Sequence, residues 1–184
     1  MRIISGKYKG KRLRAPKNLP VRPTTDMAKE ALFNILQNHF DFEAISVLDL
    51  FSGTGNISFE FASRGTDQIV GVDKDYRCVK FIAAVSKELG LNIRTFKDDA
   101  IKFLERTDLK FDLIFADPPY NLDLAEFNKI VTRVFRHDLL KEYGMLIIEH
   151  SKHTDLSELP YFIEQRKYGG SVFSFFRIPE TQET

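Results

Sequence analysis

From Ser46 onward the chain alternates short apolar runs, each too brief to be a helix of its own, with segments whose apolar residues recur at helical spacing. The runs cover residues 47–51, 68–73, 92–97, 111–116 and 144–149. Between them the spacing predicts helices ending near Arg64-Gly65, over 76–89 with a stop at Gly90, over 100–106, and around 125–135. Apolar strands that do not alternate with polar residues, separated by helices, specify a parallel sheet covered on both faces. The pattern then changes: residues 161–168, Gly169-Gly170 and residues 171–178 read as a closing antiparallel hairpin. The expected class is α/β, a doubly wound Rossmann-like fold on a mostly parallel seven-stranded sheet with an antiparallel hairpin at its C-terminal end.

The segment ahead of this pattern is different. Residues 2–14 read as a short basic β-hairpin turning between Gly6 and Gly10. Pro16, Pro20 and Pro23 make the next stretch extended, and Thr25 or Asp26 can cap a helix over roughly 26–38, where Ala28, Ala31, Leu32, Ile35 and Leu36 share a face. Net charge over the 184 residues is only +1, but residues 1–22 hold eight basic groups and no acidic one. The remainder carries 19 basic against 26 acidic residues. A basic arm on an acidic body is the footprint expected for phosphate binding, with Lys7, Lys9, Lys11 and Arg12 as candidate contacts. The competing reading is a solvated hairpin that keeps the chain soluble. The chain therefore divides into an arm, 1–22, and one domain, 23–184, long enough to bury a core without staples.

Composition removes several classes of function. A single cysteine, Cys78, excludes an internal disulfide or a cysteine-based zinc cluster and reads as packing inside a helix. His150 and His153 follow the fifth strand without a third clear ligand, so they are expected to be loop histidines and no metal is expected. No signal peptide or membrane-length apolar stretch is visible, which makes the expected location cytoplasmic and the last few residues the only disordered ones. Most of the 17 Phe residues are expected in the core, with Phe51 and Tyr8 as candidate stacking platforms.

In an open α/β sheet, ligands sit beyond the carboxyl ends of the strands, where the strand order reverses. Three carboxylates fall near such ends: Asp49, Asp73 and Asp99, with Asp98 a competitor for the third position. Gly53 and Gly55 allow close approach of the backbone to a ligand, and the next helix offers its positive end. Asp73, with Lys74 beside it, lies at the distance where an acidic residue binds ribose hydroxyls. A nicotinamide dinucleotide is disfavoured because the third glycine of that fingerprint is Ser58 here. The run Asp49-Leu50-Phe51-Ser52-Gly53-Thr54-Gly55 resembles the first motif of class I S-adenosylmethionine methyltransferases. That resemblance implies contact of the glycine loop with the amino-acid part of S-adenosylmethionine. It also implies Asp49 facing the ammonium, Asp73 on the ribose, and Asp99 on the adenine amino group.

Asp117-Pro118-Pro119-Tyr120, straight after the fourth strand, is the sharpest signal in the chain. An exocyclic base amine is a poor nucleophile because its lone pair is delocalised into the ring. The Asp117 carboxylate and the Pro118 carbonyl can orient its hydrogens and aim the nitrogen for in-line attack. Two prolines fix the loop, and Tyr120 offers a face for a flipped base. The motif resembles the fourth motif of methyltransferases acting on adenine N6, guanine N2 or a glutamine side chain.

Across nearly its whole length the chain resembles the RsmD family of bacterial 16S ribosomal RNA guanine-N2 methyltransferases. The likeness is carried by residues 2–10, Arg22-Pro23-Thr24-Thr25-Asp26, residues 29–36, the glycine loop and the proline tetrapeptide. Asn56 and Phe59-Glu60 depart from the family pattern and are expected to touch only helix packing. The resemblance implies a monomer acting on 16S ribosomal RNA in small-subunit particles, with Arg22 and Thr25 bordering the cofactor and base pocket. Two other readings stand beside it: a DNA adenine-N6 methyltransferase, for which no target-recognition region is present, and a non-catalytic RNA-binding protein on the same scaffold.

Overall fold

The structure is a computed structural model that describes residues 1–19 and 21–180. Pro20, expected in the extended linker, and the terminal residues expected to be disordered, 181–184, lie outside the described residues. The elements run α1 (Asp26–Leu36), β1 (Ser46–Leu50), α2 (Asn56–Ser63), β2 (Gln68–Asp73), α3 (Tyr76–Leu89), β3 (Ile93–Lys97), α4 (Ala100–Arg106), β4 (Phe111–Ala116), α5 (Leu124–Arg136), β5 (Leu140–Ser151), β6 (Phe162–Tyr168) and β7 (Ser171–Phe176). They form one seven-stranded sheet of order β3-β2-β1-β4-β5-β7-β6, parallel from β3 to β5 and antiparallel at β7 and β6. The order reverses between β1 and β4, which places a crevice beyond their carboxyl ends.

Helix starts follow local chemistry. Thr25, Asp75, Asp99 and Asp123 each accept a backbone N–H of the first turn of α1, α3, α4 and α5. Gly90, at φ 65°, ends α3 in the left-handed conformation that a side chain disfavours. The start of α2 is the exception, since its cap residue Gly55 has no side chain to offer.

Strand parity sorts the core. Val47, Leu113, Phe115 and Ile147 face α1, α2 and α3, where Phe33, Phe42 and Phe61 pack ring to ring. Leu48, Val70, Ile114 and Leu146 face α4 and α5, with Phe103, Phe127, Ile130 and Val134 against them. Cys78 is buried within α3, as expected of a small apolar residue.

Two local expectations need correction, the start of β5 and the place of His150. The hairpin at 2–14 forms as expected: its arms are joined by the antiparallel Arg2–Arg12 bridge and by the Ile3 N–H to Lys11 O, Gly10 N–H to Ile3 O and Leu13 N–H to Met1 O bonds. It lies along α2 with Ile3 and Leu13 buried, and its tip reaches the C-terminal ends of two helices: the Lys7 N–H donates to Ser63 O (2.7 Å) and Tyr8 Oη to Leu89 O (2.6 Å). Gly6, at φ 86°, passes so close to Ser63 O that a Cβ would sit 1.9 Å from it. β5 starts at Leu140 instead of 144, because Lys141-Glu142-Tyr143 is exposed and carries no apolar signal. His150 is a buried residue of β5, not a loop histidine; its Nε2 lies 2.7 Å from Ser174 Oγ and burial lowers its pKa.

The hairpin is tied down by a buried ionic cluster. The Lys29 ammonium meets Arg2 O (2.6 Å), Asn56 Oδ1 (2.8 Å) and Glu60 Oε2 (3.2 Å), so its three N–H groups face three acceptors. Glu60 also accepts the Ile4 and Ser5 N–H groups and Arg64 Nε. Burial lowers the Lys29 pKa against the opposing pull of Glu60. Asn56 and Glu60 thus do more than pack a helix: they hold residues 1–5 against the domain.

Candidate active site

A cleft of about 590 Å³ opens at the carboxyl ends of β1, β2 and β4, between the glycine loop, the proline tetrapeptide and residues 21–24. Strand parity sets its chemistry. Asp49, Asp73 and Asp117 continue the register of Val47, Ile69 and Phe115, so all three carboxylates project on the side of the sheet that α1, α2 and α3 cover.

The glycine loop is held from both ends. Phe51, at φ 62°, turns the chain off β1 in a conformation uncommon for a bulky residue, a strain typical of functional loops. The Gly53 N–H donates to Asp73 Oδ2 and the Asp75 N–H to Asp73 Oδ1, both at 2.8 Å, which locks the end of β2 to the loop. Each oxygen of that carboxylate keeps a lone pair for a diol. Phe51, Ser52, Gly53 and Thr54 line the cleft. Gly55 stands behind it, where a Cβ would meet Phe59 at 2.8 Å and Ile82 at 2.9 Å.

Asp49 supplies the cap that Gly55 cannot. Its Oδ2 accepts the Ser58 N–H (3.2 Å) and Ser58 Oγ–H (2.6 Å), placing a carboxylate at the positive end of α2. Burial pushes the Asp49 pKa up to about 7; the two Ser58 bonds hold it down and the charge of Asp73 adds to the rise. Ser58, which read only as a missing glycine, is therefore the anchor of Asp49.

On the adenine side expected from the sequence, Asp98 and Asp99 both line the cleft with Lys74. Asp98 pairs with Arg106 at 2.5 Å, whereas one oxygen of Asp99 caps α4 by accepting the Lys102 N–H (3.1 Å). Across the crevice, Asp117 is tied to β1 through its N–H to Leu50 O (3.3 Å), and Pro119 O accepts the Leu122 N–H (3.1 Å). The Arg22 guanidinium lies over the Tyr120 ring, 4.6 Å from its centroid, and Tyr120 Oη is 3.5 Å from Ser171 Oγ. Burial and then the neighbouring charges of Glu149 and Asp49 raise the Asp117 pKa well above the usual range, with Arg22 opposing them.

Lys7, Lys9, Lys11 and Arg12 do not line this cleft. The hairpin tip that carries Lys7 and Lys9 sits at the far ends of α2 and α3, about 12 and 21 Å of helix from the crevice. Thr25 is exposed and caps α1; its neighbour Thr24 lines the cleft instead, where its Oγ1 donates to Glu149 Oε2 at 2.6 Å. Sequence reasoning missed Thr24, Glu149 and Val21, whose Cγ1 would lie 3.3 Å from a Cβ at Gly53. Only Glu149 carried a local signal, as the sole acid in an apolar strand run.

Two features show that the cleft fits a ligand that is both cationic and polar. Ser52 Oγ is buried in its wall with no hydrogen-bond partner among the described residues. The acids Asp49, Asp73 and Asp117 face it against Arg22 and Lys74.

This sheet order, with a glycine loop after β1, an acid ending β2 and a proline tetrapeptide after β4, defines a class I methyltransferase. The chain matches over residues 1–177 the family model described as conserved hypothetical protein 95. It belongs to that family, the RsmD family of methyltransferases. It is similar to the putative rRNA methyltransferase YlbH of Bacillus subtilis, 33% identical over 163 residues covering 86% of each chain. It is also similar to the ribosomal RNA small subunit methyltransferase D of Escherichia coli, 27% identical over 182 residues covering 94% of this chain and 86% of that one. Among solved structures, the Thermus thermophilus 16S rRNA N2 G1207 methyltransferase RsmC, in complex with AdoMet and guanosine, superposes with a TM-score of 0.65. It is 21% identical, and the match covers 86% of this chain and 44% of that one.

Proposed function

We propose that the chain transfers a methyl group from S-adenosylmethionine to the exocyclic N2 amino group of a guanine in 16S ribosomal RNA, acting as a monomer on small-subunit particles. The observation that carries this reading is the placement of Asp117 on the same face of the sheet, and in the same cleft, as Asp49, Asp73 and the glycine loop. A donor bearing an ammonium, a sulfonium and a ribose diol matches a cleft rich in carboxylates. Asp49 faces the ammonium, Asp73 takes the diol, Asp99 takes the adenine amino group, and the Ser52 hydroxyl gains the partner it lacks. Lys74, Phe51 and Thr54 complete the wall.

The donor, when bound, supplies an electrophilic methyl carbon. The remaining work belongs to the chain. The Asp117 carboxyl group and the Pro118 carbonyl orient the amine, the prolines hold the loop, and Tyr120 stacks the flipped base. Arg22, now over Tyr120, borders the base and compensates the phosphate that accompanies it. Residues 1–22 act as the RNA-binding part and 23–184 as the methyltransferase domain. The distance of Lys7 and Lys9 from the cleft puts their phosphate contacts well away from the target base. The names of the relatives support RNA of the small subunit.

Mass-spectrometric mapping of methylated nucleosides in RNA and DNA from a strain lacking the gene tests the proposal. Loss of one N2-methylguanine from 16S RNA is expected. Loss of N6-methyladenine from DNA instead would overturn it.

A further inference from the structure

Glu149 belongs to none of the motifs that mark the site, yet it stands beside the reacting group. Ala116 pairs with Ile148 in the parallel β4–β5 ladder, so the next step of each strand sets Asp117 and Glu149 side by side on one face. Glu149 is 2% exposed and accepts Thr24 Oγ1–H at 2.6 Å, and the buried Ser171 hydroxyl of β7 also favours its ionised form. The titratable groups facing this pair are Asp49 from β1 and Arg22 from the segment before α1. A buried acid next to a second acid is costly, and an apolar residue would pack the end of β5 more cheaply. Burial raises the Glu149 pKa while Thr24, Ser171 and Arg22 restrain it, so the two acids do not both ionise freely.

We propose that Glu149 is a positioning residue for the transfer, braced by Thr24, which fixes the Asp117 carboxyl group against the amine and shares the proton that the amine releases. This rests on the reading of Asp117 as the amine's acceptor. The nitrogen lone pair forms the new C–N bond as the C–S bond of the donor breaks, its electron pair remaining on sulfur. The methylated nitrogen, now positively charged, gives one proton to the Asp117 carboxylate. Glu149 shares that proton across the pair until it leaves to solvent with the product. The Thr24 hydrogen bond holds Glu149 in place throughout.

Glu149→Gln keeps the shape and the acceptor for Thr24 but removes the charge. In protein labelled at the Asp and Glu carboxyl carbons, free of donor and RNA, NMR should show Asp117 titrating at a pH lower by roughly one unit or more in the variant. Thr24→Val, which removes the brace and lets Glu149 take the proton first, should move Asp117 the same way by less. With RNA particles and donor, kcat should fall roughly tenfold or more at neutral pH, KM and donor Kd should stay within about twofold, and the acid limb of the kcat profile should move to lower pH. An unchanged Asp117 titration would overturn the proposal. So would a loss of donor affinity and thermal stability with the pH profile unmoved, which would make Glu149 part of the scaffold. Should the wild-type protein transfer no methyl group at all, the functional reading fails first, and the NMR titration still reports whether the two acids are linked.

Discussion

The two faces of the sheet are built from the same five parallel strands and end in opposite chemistry. Toward α4 and α5 the strand ends present Leu50, Val72, Ala116 and Ile148, all fully buried. One residue away along each strand, toward α1, α2 and α3, stand Asp49, Asp73, Asp117 and Glu149. A one-residue slip of register would exchange the two sets. The apolar face therefore sets register and stability, and the acidic face spends that rigidity on a site whose carboxyl groups would otherwise be driven apart.

Substitutions on the two faces should separate the two roles. The largest expected effect is on the acidic face: Asp117→Ala should lower turnover by about 10²–10³-fold, with donor binding retained by calorimetry and the thermal midpoint nearly unchanged. On the apolar face, Leu146→Ala removes a fully buried side chain and should cost about 2–5 kcal/mol in denaturant unfolding, while turnover per folded molecule stays as it was. If Asp117→Ala abolished donor binding, or Leu146→Ala selectively lost turnover, the division between the faces would not hold.

A smaller effect concerns Asp49. In the free protein its carboxyl group ionises near pH 7, and a cationic donor favours the ionised form. Below that midpoint a proton must leave before the donor binds, so affinity should rise with pH, approaching about tenfold per unit on the acid side, and level off above it. Ser58→Ala removes the Ser58 Oγ–H bond that lowers the Asp49 pKa, and should shift the whole curve to higher pH. Calorimetric titrations between pH 5.5 and 8.5 would show a flat affinity if Asp49 did not face the donor.

How much of this was legible in the sequence depends on the range of the interactions. The ranges of β2, α3, α4 and β4 follow from apolar period and turn residues, and the structure reproduces them. The glycine loop and the proline tetrapeptide were legible because their residue types are rare at that spacing, and they do meet in one cleft. Partners far apart in the chain were not legible. Thr24 and Glu149 lie 125 positions apart, and Ile4 and Glu60 lie 56 apart. The buried role of Lys29 was not legible either, because its acceptors come from the hairpin and α2. His150 read as a loop residue because the polar Ser151 follows it, although β5 continues through both.

The smallest expected effect is at the hairpin tip, remote from both faces' chemistry. Replacing Lys7, Lys9, Lys11 and Arg12 together with Ala should weaken RNA binding and flatten its salt dependence, by a slope of about 0.7–0.9 for each phosphate that is no longer neutralised. Turnover at saturating RNA should be little changed. An unaltered salt slope would reduce the tip to a solvated surface.

The most direct test is transfer itself: purified protein, labelled S-adenosylmethionine, and small-subunit particles from cells lacking the modification. Label is expected in 16S RNA, recovered as N2-methylguanosine and lost with Asp117→Ala. Label on adenine or on protein, or no transfer by a protein that binds the donor, would contradict the proposed activity.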